Sequence, residues 1–253
     1  MDKRLELHYE KLSEIYNDLW ETRPDYPDWM AEQIRDHLRV TEGQRIADIG
    51  VGTGLFLSRL LPYATPQTPV VSVDPSAALL ELLPEDPRLH AVQATAEEVV
   101  AGDVSLPYDT FDAIVIKEAV HHFTDLENTL SGLAQRLAPG GRFLIVALPP
   151  QIDYPLFEAA LGQFATEQPD PEEVAAALEL GGLKATIGYK EFPLSVDRNK
   201  WLRLVSDRWM SVLSNFSEDE LAQGLKEIEH RYTTPQLEFN DRFAFILGER
   251  PAA

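Results

Sequence analysis

The sequence predicts a doubly wound α/β fold, and three observations carry that expectation. Between Gln44 and Pro149, short apolar runs alternate with stretches of helical periodicity. The runs are apolar throughout, as strands of a parallel sheet covered on both faces must be. The first run ends in a glycine-rich turn and the second in an aspartate, inside a strand–helix–strand frame suited to a nucleotide-like ligand.

In chain order, residues 2 to 39 read as helical, with aromatics at Tyr9, Tyr16, Trp20, Tyr26 and Trp29. Five strands follow at Ile46-Ala-Asp-Ile49, Val70-Val-Ser-Val73, His90-Ala-Val-Gln93, Phe111-Asp-Ala-Ile-Val-Ile116 and Arg142-Phe-Leu-Ile-Val-Ala147. Before the fifth, Thr124-Asp-Leu-Glu127 reads as a capping box, and Leu126, Leu130, Leu133 and Leu137 as its buried stripe. Pro139-Gly-Gly141 reads as the stop of that helix. Two helices are expected over 151 to 182, split by Gln168-Pro-Asp-Pro171. The runs 183 to 196 and 236 to 247 read as a closing antiparallel pair, bringing the sheet to seven strands. Between them 197 to 231 reads as helical, with a second capping box at Ser217-Glu-Asp-Glu220. The organisation expected is one domain: an N-terminal helical lid over 1–43, a ligand-binding core over 44–149, and lid helices with closing strands over 150–253.

Composition narrows the partners. The chain has 253 residues, 44% hydrophobic and 25% charged, which is enough to bury a large core. Its 42 acidic and 22 basic residues leave a formal charge of −20. Nucleic acids and anionic membranes need a basic footprint, so a small-molecule partner is expected, with neither nucleic acid nor membrane. No apolar run approaches the ~18 residues of a membrane helix, and the charged start has no apolar stretch behind it, so a cytoplasmic location is expected. Cysteine is absent, which removes disulfides, thiolate nucleophiles and zinc–thiolate sites.

The chemistry concentrates at the strand ends. Asp48-Ile-Gly-Val-Gly-Thr-Gly54 places glycines at 50, 52 and 54, where the backbone can turn tightly and approach a ligand. Asp74 ends the next strand, 20 residues past Gly54, where a carboxylate can bridge two ribose hydroxyls. A dinucleotide fingerprint wants G-x-G-x-x-G, but Leu55 stands in the third place and the glycine falls one earlier.

The run Ile46-Ala-Asp-Ile-Gly-Val-Gly-Thr-Gly54 resembles motif I of the class I S-adenosylmethionine-dependent methyltransferases of the small-molecule type. The resemblance continues through Asp74, Ala94-Thr-Ala-Glu97, Phe111-Asp-Ala-Ile-Val-Ile116 and Leu137-Ala-Pro-Gly-Gly-Arg142, covering about 44 to 149 in order. It implies a Rossmann-like sheet and S-adenosylmethionine as cofactor. Asp48 and the Gly50–Gly54 backbone would hold the methionine end and Asp74 the ribose diol. Pro75 would lie beside the adenine, and Ala96 would present its amide to a ring nitrogen. Members often carry an acid where Thr95 stands, so either Glu97 substitutes or that contact is weaker. The alternative for Glu97 is a solvated first helical turn. Lys117, at the end of strand four, is assigned to the cofactor as well.

Strand four delivers Lys117-Glu-Ala-Val-His-His-Phe123 to the edge where such folds do chemistry. Many small-molecule methyltransferases resemble this, with paired histidines and then an acid, here Asp125. A hydroxyl acceptor must lose a proton as it attacks, and an imidazole titrates near the working pH, so His121 or His122 is the candidate base. The alternative is wall packing. Strands four and five lack the Asn/Asp-Pro-Pro-aromatic signature of nucleobase enzymes and the acid cluster of metal-dependent ones. Metal-free transfer to O, N or C of a small molecule remains, with oxygen favoured.

Substrate candidates lie in the flanks. Arg23-Pro-Asp-Tyr26 resembles an entry segment of some small-molecule members. Tyr16 and Trp20 would form an aromatic wall over the sulfonium, or else pin the N-terminal helix to the core. On a helix, Trp201, Val205, Arg208 and Trp209 share a face, and Arg208 would then meet an acceptor carboxylate. The rival readings are an NAD-linked oxidoreductase, disfavoured by Leu55 and the lack of a Tyr-x-x-x-Lys pair, and a catalytically silent partner subunit.

Overall fold

The computed structural model describes residues 25–252. The helices and strands of that stretch are α1 (Asp25–Leu38), β1 (Ile46–Ile49), α2 (Leu57–Leu60), β2 (Val70–Asp74), α3 (Ala77–Leu80), β3 (Leu89–Gln93) and α4 (Ala96–Ala101). They continue with β4 (Phe111–Lys117), α5 (Leu126–Gln135), β5 (Leu137–Ala147), α6 (Glu158–Glu167), α7 (Pro171–Leu180), β6 (Lys184–Asp197), α8 (Arg198–Ser206), α9 (Glu218–Arg231) and β7 (Gln236–Glu249). The expected doubly wound α/β architecture is present, a seven-stranded sheet in the order β3-β2-β1-β4-β5-β7-β6.

Strands β1 to β5 pair in parallel, and β7 enters antiparallel to β5, with Arg142 opposite Glu249 and Ala147 opposite Ala244. Every residue of β1 and β2 is buried, Asp48, Ser72 and Asp74 included, as strands covered on both faces require, whereas no residue of the edge strand β3 is buried. One face of the sheet packs Ala47, Ile49, Val71, Val73, Ile114 and Ile116 into the main core. Parallel register and the two-residue period send Asp48, Asp74, Val115 and Lys117 to the other face. Helix α1 buries Tyr26, Met30, Ile34 and Leu38, a stripe at helical spacing.

The chain divides into two compact units. One comprises residues 25–147, 170–188 and 244–252; the other comprises 148–169 and 189–243. Strands β6 and β7, each 14 residues long, contribute to both. In the second unit Tyr154, Trp201, Trp209 and Phe239 pack ring against ring at 5.0 to 6.0 Å. The Trp201 indole N–H donates to Pro155 O at 2.7 Å, and the Tyr154 hydroxyl donates to the buried carboxylate of Asp241.

Several local expectations shift. Helix α5 is capped by Asp125, which accepts from the Asn128 amide, not by Thr124. It ends at Gln135, ahead of Pro139-Gly-Gly141, because Gly140 already belongs to β5 and donates to Arg250 O. The helical stretch expected over 197 to 231 is interrupted between Ser206 and Glu218, while the Ser217–Glu220 capping box stands as expected. Residues 170 and 171 act as N-cap and first helical position of α7, the preferred place for proline.

Candidate functional site

At the carboxyl edge of β1 the backbone leaves the strand through Gly50, Gly52 and Gly54, with φ of +77°, +56° and +72°. The Gly50 and Val51 amides donate back to Val73 O, at 2.7 and 3.1 Å, which holds the turn against β2. A side chain at Gly50 would strike Ala119 Cβ at 2.4 Å, whereas no described residue lies within 4 Å of the same position at Gly52. Gly50 is therefore filled by the β4 turn and Gly52 faces open space.

Asp74 ties the two strand ends together. Its Oδ2 accepts from the Gly52 amide and its Oδ1 from the Ser76 amide, both at 2.9 Å. Burial raises its pKa, against the pull of those two amides. Asp48 is only 8% exposed and makes no hydrogen bond to a described residue. Burial first, then the neighbouring Asp74 charge, push its pKa up to about 7, while Lys117 pulls it down. A buried carboxylate without a hydrogen-bond partner suits a cationic ligand group.

Beyond Asp74, Pro75 is half-buried and its carbonyl accepts from Gln93 Nε2. Thr95 is the N-cap of α4 in a capping box with Glu98, a cap not foreseen from the sequence. Ala96 is buried at the first position of that helix. Glu97 is not simply solvated: its Oε1 accepts from both the amide and the hydroxyl of Thr124, at 2.9 and 3.2 Å.

The segment after β4 carries the strongest local feature. Glu118 adopts φ +52° and its amide donates to Val146 O at 2.8 Å. Its carboxylate pairs with the Lys117 ammonium. That ammonium also lies 5.0 Å from the Phe56 ring centroid and 5.9 Å from that of Tyr26. The sequence does not announce Glu118, Phe56 or Tyr26 at this place; nothing local in it signals a left-handed glutamate. A single turn over Val120–His122 follows, with the His121 and His122 rings 4.0 Å apart. Burial depresses the His121 pKa to about 4, well below the near-neutral titration expected of it.

Arg208 lies past the end of α8 at φ +58°, off the helical face expected for it. Its guanidinium donates to Leu213 O and Phe216 O and pairs with Glu218. Tyr16, Trp20 and Arg23 lie outside the described residues. Among the described residues no group of three or more acids or histidines is arranged to hold a metal, and no helix is long and apolar enough to cross a membrane.

The arrangement around β1 and β2 fits the cofactor that the motif I resemblance implies. The buried Asp48 carboxylate suits its cationic end, a second carboxylate 20 residues beyond the glycines suits a diol, and the space that the described residues leave at Gly52 lets backbone approach.

Residues 47–143 match a family described as a methyltransferase domain. The chain is 29% identical over 180 residues to a ubiquinone biosynthesis O-methyltransferase of Rhizobium etli, covering 64% of this chain and 68% of that one. It is 30% identical over 122 residues to a ubiquinone/menaquinone biosynthesis C-methyltransferase of Cronobacter sakazakii, covering 47% of this chain and 49% of that one. A solved structure described as a methyltransferase from an antibiotic biosynthesis pathway of Anabaena variabilis aligns with TM-score 0.63 at 19% identity, over 87% of this chain and 96% of that one. At that identity the likeness is one of fold.

Proposed function

We propose that the chain is a class I S-adenosylmethionine-dependent methyltransferase and that it transfers the methyl group to an oxygen of a small-molecule acceptor, without a metal. The observation that carries this reading is the clustering, at one edge of the sheet, of the Gly50–Gly54 turn, two buried aspartates and the paired histidines after β4.

Bound S-adenosylmethionine supplies an activated methyl on a sulfonium, so the protein's task is placement and charge. Asp48 offers negative charge to the cationic methionine end. Gly50 and Gly52 bring their backbone close to it, and Gly54 completes the turn. Asp74, already fixed by two amides, has lone pairs left for the ribose diol. Pro75 and Ala96 flank the adenine, while Thr95 and Glu97 hold the start of α4 and with it the adenine side.

Transfer to a hydroxyl needs a proton acceptor opposite the sulfonium. With a pKa of about 4, the His121 imidazole is neutral at physiological pH and so able to accept a proton, though as a weaker base than an ordinary histidine. His122 is the other candidate. Transfer to oxygen is the chemistry in the name of the Rhizobium relative, and transfer to carbon that in the name of the Cronobacter relative. A small-molecule acceptor agrees with a charge of −20, which repels polyanions.

Calorimetric titration with S-adenosylmethionine, S-adenosylhomocysteine and NAD tests the cofactor. Micromolar binding of the two sulfur compounds with none for NAD is expected, and binding of NAD alone overturns the reading. Turnover with ¹³C-methyl cofactor then separates the acceptor atoms, since methoxy and C-methyl carbons resonate apart. A C-methyl product would move the chain to the second relative's chemistry.

A further inference from the structure

We infer that Lys117 receives the carboxylate at the methionine end of the cofactor, and that Glu118 is the partner it surrenders on binding. This rests on the reading above that the Asp48–Gly54 turn holds that end.

The Lys117 side chain is 9% exposed, so its ammonium has lost most of its water and needs a negative partner. Glu118 supplies one. Consecutive residues of an extended strand point to opposite faces, so a pair between residues 117 and 118 requires the backbone to leave the strand. It does so at Glu118, whose left-handed φ of +52° is unfavourable for a residue bearing a β-carbon. The amide bond to Val146 O fixes that conformation. Strain of this kind persists where the surroundings impose it, and it clusters at functional sites.

The position of the ammonium identifies what else it can meet. Lys117 shares a sheet face with Asp48, and its charge lowers the Asp48 pKa against burial. It lies over the ring of Phe56, which directly follows the glycine turn. Three carboxylates, of Asp48, Asp74 and Glu118, therefore gather around this edge with Lys117 as the cation that acts on Asp48. A methionine end brings cationic groups, which those carboxylates suit, and one carboxylate, which they repel. Among the described residues Lys117 is placed to accept it, and in doing so it exchanges the Glu118 carboxylate for that of the ligand. Glu118 is then released at the carboxyl end of β4, beside the histidine turn.

The test compares S-adenosylhomocysteine with 5′-methylthioadenosine, which keeps the adenosine and thioether but lacks the amino-acid end. Binding is measured by calorimetry on the full chain, with thermal melting as the check on folding. Lys117→Met is expected to weaken S-adenosylhomocysteine by about 10–100-fold, the scale of a lost charge-assisted bond, and to leave methylthioadenosine within about twofold. Glu118→Gln removes the competing carboxylate and is expected to tighten S-adenosylhomocysteine several-fold, again with methylthioadenosine unchanged. Equal weakening of both ligands by Lys117→Met, or unchanged S-adenosylhomocysteine affinity, overturns the assignment. If Lys117→Met does not melt cooperatively, Glu118→Gln decides: no gain in S-adenosylhomocysteine affinity overturns the exchange. Failure of the unmodified chain to bind either ligand removes the cofactor reading itself, whereas normal binding that ignores residue 117 removes this inference alone.

Discussion

The Gly52 amide donates to Asp74 Oδ2 at 2.9 Å, joining the turn after β1 to the end of β2. The same carboxylate holds the Ser76 amide through Oδ1. One side chain thus shapes the glycine turn and faces the proposed ribose position.

The two tasks separate by substitution. Asp74→Asn keeps one oxygen acceptor but turns an NH2 toward the other amide, and is expected to weaken S-adenosylhomocysteine by about 1–3 kcal/mol with a smaller fall in melting temperature than Asp74→Ala. Asp74→Ala loses both amide bonds and should weaken binding and melting together. Calorimetry and thermal melting on both variants check this; unchanged affinity in both would remove Asp74 from the cofactor site.

The glycines differ in the same way. Gly50→Ala places a methyl 2.4 Å from Ala119 Cβ at a left-handed φ, and is expected to destabilise the fold by several kcal/mol. Gly52→Ala meets nothing within 4 Å and should cost only about 1–2 kcal/mol of backbone strain while abolishing cofactor binding. Chemical denaturation ranks the two; equal loss of stability would mean the space at Gly52 is not open.

Asp48 makes stability fall as pH rises. Its folded pKa of about 7 lies above the unfolded 3.8, so between those values the folded chain holds the extra proton. The penalty for an ionised Asp48 is absent near pH 4 and complete above pH 7. Asp48→Asn is expected to stabilise the ligand-free protein by about 2–4 kcal/mol at pH 8 and hardly at all at pH 4, while weakening cofactor binding. Denaturant midpoints at the two pH values check the sign; a gain that does not grow with pH would place Asp48 in a more hydrated setting.

His121 has the opposite linkage. Its folded pKa of about 4 is below the unfolded 6.5, so the unfolded chain binds more protons between them and acid weakens the fold through that window. If His121 is the base, the acid limb of kcat falls near pH 4 to 5, and His121→Ala lowers turnover by ~10²-fold with cofactor binding kept. Turnover kept in His121→Ala but lost in His122→Ala, with cofactor binding unchanged, would give the role to His122.

The frame of the molecule is written locally. The runs at Val70 and Phe111 can do little but enter a covered sheet, and the spacing from Gly54 to Asp74 survives because each strand end fixes one of them. What escapes the sequence depends on distant partners. The cap of α5 falls on Asp125 and not on Thr124, whose amide and hydroxyl donate instead to Glu97 of another helix. Gly140 joins a strand because Arg250 accepts its N–H. Arg208 turns to the carbonyls of Leu213 and Phe216, a local choice that helical spacing alone does not reveal. The left-handed Glu118 is held by Val146, which no motif announces.

Strand β7 follows β6 in the chain yet lies between β5 and β6 in the sheet. While the chain is being synthesised, β5 therefore waits with an open edge, and β6 has no neighbour at all until residues 236–249 emerge. Parallel strands β1 to β5 can assemble early, but the last antiparallel step must pair β7 with the open edge of β5 and bring β6 in beyond it. Such long-range pairing is slow and leaves hydrogen-bonding edges exposed to other nascent chains. Arg142 is placed to guide it, binding His37 O on one side and Glu249 on the other. Overproduction at low temperature, where collision between unfinished chains is reduced, should recover more folded protein than rapid synthesis.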